Sequence, residues 1–368
     1  MIGAESARFE RVGRAYGQVG PSRPAIWRPD DSPTRKFVPE CGIMRSWICL
    51  SDIYRRTVGE RFLRTGRQRR AATRRARAVM AAKEKPRIGE GNRRPAGCAL
   101  PLHVLIADAC VRTETEGVVT HTWGSPFPDT AFAEAGEGFL MSAPEFCFLQ
   151  MAGCLSLVQL IQLGFELCGT YALVGSAPAV RRAAPLTTKA KLAAFVEQSS
   201  GARGCKKAAR AVRYVQDGAA SPMETMLAMM LCLPYGLGGY GLEKPLINHR
   251  VDVPSSSKRL ADRAYCVCDL CWPEAKLCVE YDSARYHVDP DRQDSDARRR
   301  STLIALGYTV VTVTRGQVMD AGAFNRLAHQ LAKQTGKRLR YSDPDFTRKH
   351  RALRSELLQT FALKEDAR

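Results

Sequence analysis

Between Ser221 and Thr314 the hydrophobic period switches in a set order, and few folds accommodate that order. Ser221 to Leu233 reads as a helix with Pro222 at its first position, where a missing N–H costs nothing. Lys244 to Val253 and Arg263 to Leu270 read as strands, separated by the serine-rich turn Ser255 to Ser257. Trp272 to Lys276 makes a turn and Leu277 to Asp282 a third strand. Asp291 to Leu306 is a helix stopped by Gly307, and Tyr308 to Thr314 an alternating strand. The order is α-β-β-β-α-β. Because the last strand follows a helix, it can return parallel to its neighbour.

Three acids stand out in this unit: Asp269 near the end of one strand, and Glu280 and Asp282 in the next. Residues two apart on a strand share a face, so Glu280 and Asp282 point one way while Val279 and Tyr281 point the other. If the turn at Trp272 to Lys276 sets Asp269 opposite Glu280, their Cβ atoms lie about 5 Å apart, and a slip of one residue separates them. Hard oxygen ligands grouped in this way suit Mg²⁺, which in phosphodiester hydrolysis neutralises phosphate and acidifies a bound water. The plainer account is a half-buried strand whose polar face meets solvent. Glu224, three residues after Ser221, is explained by a capping box without any metal.

Cysteine gives a second cluster. Cys266, Cys268, Cys271 and Cys278 invite a zinc reading, but Cys-x-Cys running into Cys-x-x-Cys is not a standard knuckle, and the apolar neighbours suit buried thiols better. The 13 cysteines follow no framework spacing, so free thiols in a reducing cytoplasm are predicted. No secretory signal is legible, since Glu5, Arg8, Glu10 and Arg11 interrupt the N-terminus. Phe146 to Phe165 carries no charge and is long enough to span a membrane, but its Gln150, Gln159 and Gln162 favour buried core helices, and no transmembrane segment is predicted.

The chain divides by pattern into 1–98, 99–180, 181–220, 221–320 and 321–368. The first is arginine-rich and low in order. Its helical stretch from Ile48 to about Lys85 contains Arg67–Arg77, where Arg69, Arg70, Arg74 and Arg75 make either a solvated charged face or a phosphate-binding arm. Pro86 to Pro101 reads as a linker. The second segment is a small α+β domain with strands at His103–Ala107, Gly117–Trp123 and Gly138–Met141. There Ser142 is read as an N-cap with Glu145 three residues on, and a further helix covers Leu155 to Leu167. Two helices fill Leu186 to Asp217, starting at Thr187 or Thr188, and C-terminal helices end the chain, with Leu353, Leu357, Leu358 and Phe361 as a packing face. The formal charge of +19, clustered rather than spread, points to polyanions: nucleic acid first, an anionic membrane second.

From Ser221 to about Gln317 the chain resembles the very-short-patch-repair-like endonuclease domains of the PD-(D/E)xK, or restriction-endonuclease-like, superfamily. The residues that carry the likeness are Ser221-Pro-Met-Glu224, Val267-Cys-Asp269-Leu-Cys-Trp272-Pro-Glu274, Val279-Glu-Tyr-Asp282, His287, then Asp296, Arg299, Leu303, Gly307 and Tyr308 to Thr314. The resemblance implies an α/β (α+β) nuclease core in which Asp269 and Glu280 bind metal, Glu224 faces the same site, and Asp282 stands in place of the superfamily lysine. It also implies that His287 and Arg299 lie close to the acids or the phosphate, although an Asp296–Arg299 pair is the simple account of that helix face. Ser283 stands where many relatives have glycine. Residues 102–180 loosely resemble the middle of abortive-infection antitoxin-type proteins, without the winged helix that commonly opens them.

These readings predict an endonuclease using Mg²⁺ or Mn²⁺ on DNA, with no small-molecule cofactor. The rival is a catalytically inactive nuclease fold kept as a DNA-binding regulator or antitoxin-like protein. A weaker rival is a peripheral membrane protein using the arginine arm. One site nicks one strand, so a cut through both calls for a homodimer.

Overall fold

Short strands and helices alternate along the chain, which makes the protein mixed α/β. This computed structural model describes residues 37–38, 65–81, 102–112, 117–136, 139–173, 179–255, 263–282, 290–341 and 343–362, all within one unit, Arg35–Arg368. In chain order the elements begin with β1 (Phe37–Val38), α1 (Gly66–Ala81), β2 (Leu102–Ile106), β3 (Val118–Thr122), β4 (Phe132–Gly136) and β5 (Phe139–Ser142). Then come α2 (Pro144–Met151), α3 (Leu157–Cys168), β6 (Tyr171–Ala172), β7 (Val180–Arg181), α4 (Lys189–Gln198) and α5 (Cys205–Val212). The final third holds α6 (Pro222–Cys232), β8 (Leu246–Asp252), β9 (Tyr265–Trp272), β10 (Leu277–Asp282) and α7 (Pro290–Ala305). It ends with β11 (Thr309–Thr314), α8 (Arg315–Met319), α9 (Ala321–Gln334) and α10 (Phe346–Ala362).

Alanine alternates with arginine in α1 for a packing reason. Ala72, Thr73 and Ala76 are buried, and the Thr73 hydroxyl accepts the Phe132 N–H of β4 at 3.1 Å. Small residues let the helix sit close on the strand, so this part of the basic segment is built into the fold. Of the wider helical stretch predicted from Ile48 to Lys85, residues 48–64 and 82–85 lie outside the described residues, as does the Pro86–Pro101 linker.

Phe146–Phe165 breaks into α2 and α3 and is mostly buried, with Gln150, Leu157 and Gln159 half-buried and Gly153, Cys154 and Ser156 exposed. Among the described residues no helix is long and apolar enough to cross a membrane. Ser142 is not the cap of α2. Its backbone belongs to β5, Ala143 takes the cap position, and Glu145 turns to other partners. The true capping box is one helix later, where Ser156 and Gln159 satisfy each other's backbone N–H. Strand β4 was missed by the pattern because Phe132–Gly136 is too short and small-residue-rich to alternate clearly.

The final third follows the order read from the sequence, and its strands form one sheet in the order β11-β10-β9-β8. The β10–β11 pair is parallel across α7, while β9 runs antiparallel to both β10 and β8. Each face of the sheet has its own apolar layer. Ile247, Leu270, Trp272, Leu277 and Val279 join the main core, which extends from Ala72 to Leu357. Val251, Cys266, Cys268, Cys271, Cys278, Leu303 and Tyr308 form a smaller core under α7.

Between α6 and β8 the chain makes a tight approach to α10. Gly238 has φ +86°, and a Cβ placed there would lie 2.4 Å from the Lys349 carbonyl oxygen. Gly238→Ala combines left-handed strain with overpacking, so a loss of about 2–4 kcal/mol is expected in urea denaturation. A change within about 0.5 kcal/mol would show that this loop yields without cost.

Candidate active site

The hairpin positions the acids by its register. Leu277 pairs with Trp272, Cys278 with Cys271 and Val279 with Leu270, and the pairing ends there, one residue short of Glu280 and Asp269. The hairpin runs in the predicted sense, but Glu280 and Asp269 are not themselves a pair in the ladder. One Asp269 oxygen accepts the Tyr281 N–H at 2.9 Å, tying the carboxylate to the strand that carries Glu280.

The neighbouring strand is irregular at the same level. Asn248 has φ +48°, a conformation that asparagine tolerates better than most residues, and the β8–β9 ladder skips the rung between Asn248 and Asp269. The pleat changes sense there: Cys266 and Cys268 pack with Cys271 in the small core, whereas Leu270 and Trp272 pack in the main core. Strict alternation cannot produce that grouping. The Asn248 amide donates to the Gly218 carbonyl at 2.9 Å and to Glu224 at 2.5 Å. Sequence reasoning missed Asn248; the signal was a turn-forming residue in the middle of a strand pattern.

Glu224 is buried and fully engaged. Its carboxylate accepts the Ala220 N–H at 2.8 Å, the Ser221 hydroxyl at 2.7 Å and the Asn248 amide, while Ser221 accepts the Glu224 N–H at 3.2 Å. It works as a cap and as a tie between α6 and β8. Its charge nevertheless reaches Asp269.

Glu280 is buried, with 5% of its surface exposed. One oxygen accepts from Arg299 of α7 at 3.1 Å, and the other has no hydrogen-bond partner among the described residues. Arg299 also lies 3.4 Å from Asp296. Asp282 is half-buried on the face of β10 that Glu280 occupies. His287 falls outside the described residues. Asp269, Glu280 and Arg299 thus form the centre, Asp282 flanks it, and Glu224 adjoins it through charge. Among the described residues these acids do not make a group of three within 4.8 Å; the one such group of His, Cys, Asp or Glu is Cys268, Cys271 and Cys278.

Burial pushes the Asp269 carboxyl up to about 6, reinforced by the Glu224 charge and opposed by the Tyr281 N–H. Burial also raises Glu280 against the pull of Arg299, and raises Glu224 against its hydrogen bonds. A carboxyl raised in this way stabilises the fold while protonated. The Asp269 contribution is complete below its ordinary value of 3.8 and is lost as pH rises through about 6. In EDTA, the Tm of Asp269→Asn should therefore fall less than that of the native chain as pH rises from about 4 to 7. Parallel melting curves for the two proteins would assign the effect to another group.

The basic surface differs from the one read in the sequence. Arg69 is held by buried Glu145 at 3.0 Å and Arg75 by Glu134 at 2.9 Å. Arg67, Arg70 and Arg74, at steps of three and four, remain on the exposed face of α1. A second exposed stripe, Lys206, Arg210 and Arg213, runs along α5 and its C-cap, with Arg203 exposed in the turn before it. The Arg213 carbonyl accepts from Lys244, and Gln216 donates to the Pro245 carbonyl at 2.6 Å, so this segment is fastened to the start of β8. The spacing of Lys206, Arg210 and Arg213 carries the α5 stripe in the sequence, less conspicuously than the denser arginine run of α1. Near the C-terminus, Arg354 is buried and donates to the Val318 and Met319 carbonyls at the end of α8, a capping role.

Set against known proteins, the chain matches no family model, no curated relative and no solved structure.

Proposed function

We propose that the protein is a DNA endonuclease of the restriction-endonuclease-like type, hydrolysing phosphodiesters with Mg²⁺ or Mn²⁺ in a reducing cytoplasm. The observation that carries this reading is the buried oxygen of Glu280 that has no partner among the described residues, one residue from Tyr281, whose N–H holds the Asp269 carboxylate. Leaving a carboxylate oxygen buried and unsatisfied costs about 1–3 kcal/mol, and a bound cation removes that cost. Two hard oxygen donors at the end of paired strands suit a divalent ion that keeps several waters.

In this reading Asp269 and Glu280 hold the ion, which when bound supplies charge neutralisation and a more acidic water. Asp282, on the same face, orients that water. Arg299 places a fixed positive charge beside Glu280, where the family lysine is missing, and can turn to a phosphate oxygen as its pair with Glu280 loosens. Glu224 and Asn248 hold β8 and α6 in place around the site. The stripes on α5 and α1 contact the phosphate backbone without reading sequence. A homodimer would be needed for cutting both strands.

The test is a plasmid-nicking assay with the full chain in Mg²⁺, Mn²⁺ and EDTA. Metal-dependent nicking supports the reading, and intact plasmid under both metals removes it. One observation favours the rival: the Arg299–Glu280 pair neutralises the acid without a metal. A nuclease fold kept for DNA docking alone would shift the plasmid on a gel and leave it uncut.

A further inference from the structure

We infer that the small core beneath α7 is a closed zinc site, with Cys268, Cys271 and Cys278 as thiolate ligands and His249 as the fourth. This inference does not rest on the nuclease reading. The sulfurs of the three cysteines lie within 4.8 Å of one another, and all three residues are buried. Buried cysteines often pack as small hydrophobes, and that alone calls for no metal. Here, however, three thiols from two strands converge on one point. Ladder geometry does not require this, because Cys268 stands three residues from Cys271, the partner of Cys278. The change of pleat at Asp269 is what turns Cys268 and Cys271 to the same side.

The dimensions fit a tetrahedral ion. With Zn–S near 2.3 Å, the sulfur–sulfur edge of the tetrahedron is about 3.8 Å. The Cys271–Cys278 edge is 3.7 Å. The Cys268–Cys278 edge is 2.8 Å and must open by about 1 Å to admit the ion. The fourth ligand is taken from a cross-strand neighbour: His249 pairs with Cys268 in the β8–β9 ladder and is half-buried, but its ring lies outside the 4.8 Å group of the three sulfurs and must turn toward them to bind. Cys266 is also buried in this core, but its thiol is directed at the Arg299 carbonyl at 4.0 Å, which sets it apart from the group.

Zinc here would be structural, with no open position for substrate. Cys268 adjoins Asp269, and Cys278 precedes Glu280 by two residues, so the ion would clamp β9 to β10 next to both acids. Each thiol loses its proton to solvent on binding, and no oxidant or reductant is involved.

The experiment is metal analysis of the full chain purified without chelator, followed by exchange into Co²⁺. Zinc stoichiometric with the chain, and a Co²⁺ complex with strong thiolate-to-metal absorption and tetrahedral d–d bands, are expected. Cys271→Ser and His249→Ala should each lower zinc affinity at least about tenfold, while Cys266→Ser retains it. Because Cys271→Ser could misfold, His249→Ala at the half-buried position provides the second reading. Full-length folded protein that takes up neither zinc nor cobalt overturns the inference, as does a Cys268–Cys278 disulfide found by mass in protein kept under reductant. Equal zinc retention in Cys266→Ser, Cys271→Ser and His249→Ala would place the metal elsewhere and overturn it too.

Discussion

Glu280→Ala is expected to abolish metal-dependent nicking, with at least a hundredfold loss (~100-fold), while the chain stays folded and still shifts plasmid on a gel. Losing a metal ligand at the reacting centre removes several kcal/mol of transition-state stabilisation, and each 1.36 kcal/mol is about tenfold in rate. The fold should survive because the substitution removes a buried carboxylate that already lacks a partner for one oxygen. It also leaves Arg299 with Asp296 as a partner at 3.4 Å. Nicking by Glu280→Ala at the native rate would place the activity in a contaminant or at another site. Loss of both nicking and DNA binding would mean that the hairpin had collapsed, a point that circular dichroism checks directly.

Charge reversal along α5 should have the second large effect. The triple variant Lys206→Glu, Arg210→Glu and Arg213→Glu is expected to weaken duplex binding by about two orders of magnitude near 0.1 M salt. Every phosphate that is no longer neutralised makes the log–log salt slope shallower by about 0.9, so the three together should remove about 2.7. Fluorescence anisotropy with a salt series reads both quantities. These side chains are exposed and the buried face of α5 is Ala208, Ala211 and Val212, so the helix itself should persist. The matching triple on α1, at Arg67, Arg70 and Arg74, separates the two surfaces. If that variant carries the loss and the α5 variant does not, DNA runs across α1 instead.

Much of the C-terminal architecture was legible because its signals are local. Ser221 caps α6 and Pro222 starts it, Gly307 ends the run after α7 with φ +83°, and β10 keeps the bounds that its alternation suggested. The opposition of Asp269 and Glu280 was legible only as a conditional on the turn predicted at Trp272 to Lys276: Trp272 proves to be the last residue of β9, paired with Leu277, and the pairing stops at Val279 and Leu270, one residue short of the two acids. Ser142 misled because a capping pattern looks the same when the serine belongs to a preceding strand. Glu145 shows the limit from another side. Its partners, Thr187 and Arg69, are 42 and 76 residues away, and no local pattern encodes such a distance.

Composition and spacing by themselves determined the order of helices and strands in the final third, that Glu280 and Asp282 share a face of β10, and how strongly basic the chain is. These depend on periodicity and on side-chain chemistry within a few residues. Only tertiary structure decided which charges are available. It buried Arg354 against helix carbonyls, paired Arg69 with a buried acid and Arg75 with half-exposed Glu134, and left Arg67, Arg70, Arg74, Lys206, Arg210 and Arg213 exposed. It also set the pleat change at Asp269, where left-handed Asn248 in the neighbouring strand gives its amide to Gly218 and Glu224, 30 and 24 residues away. Burial and long-range hydrogen bonding set both outcomes, and neither is a property of neighbouring residues in the chain.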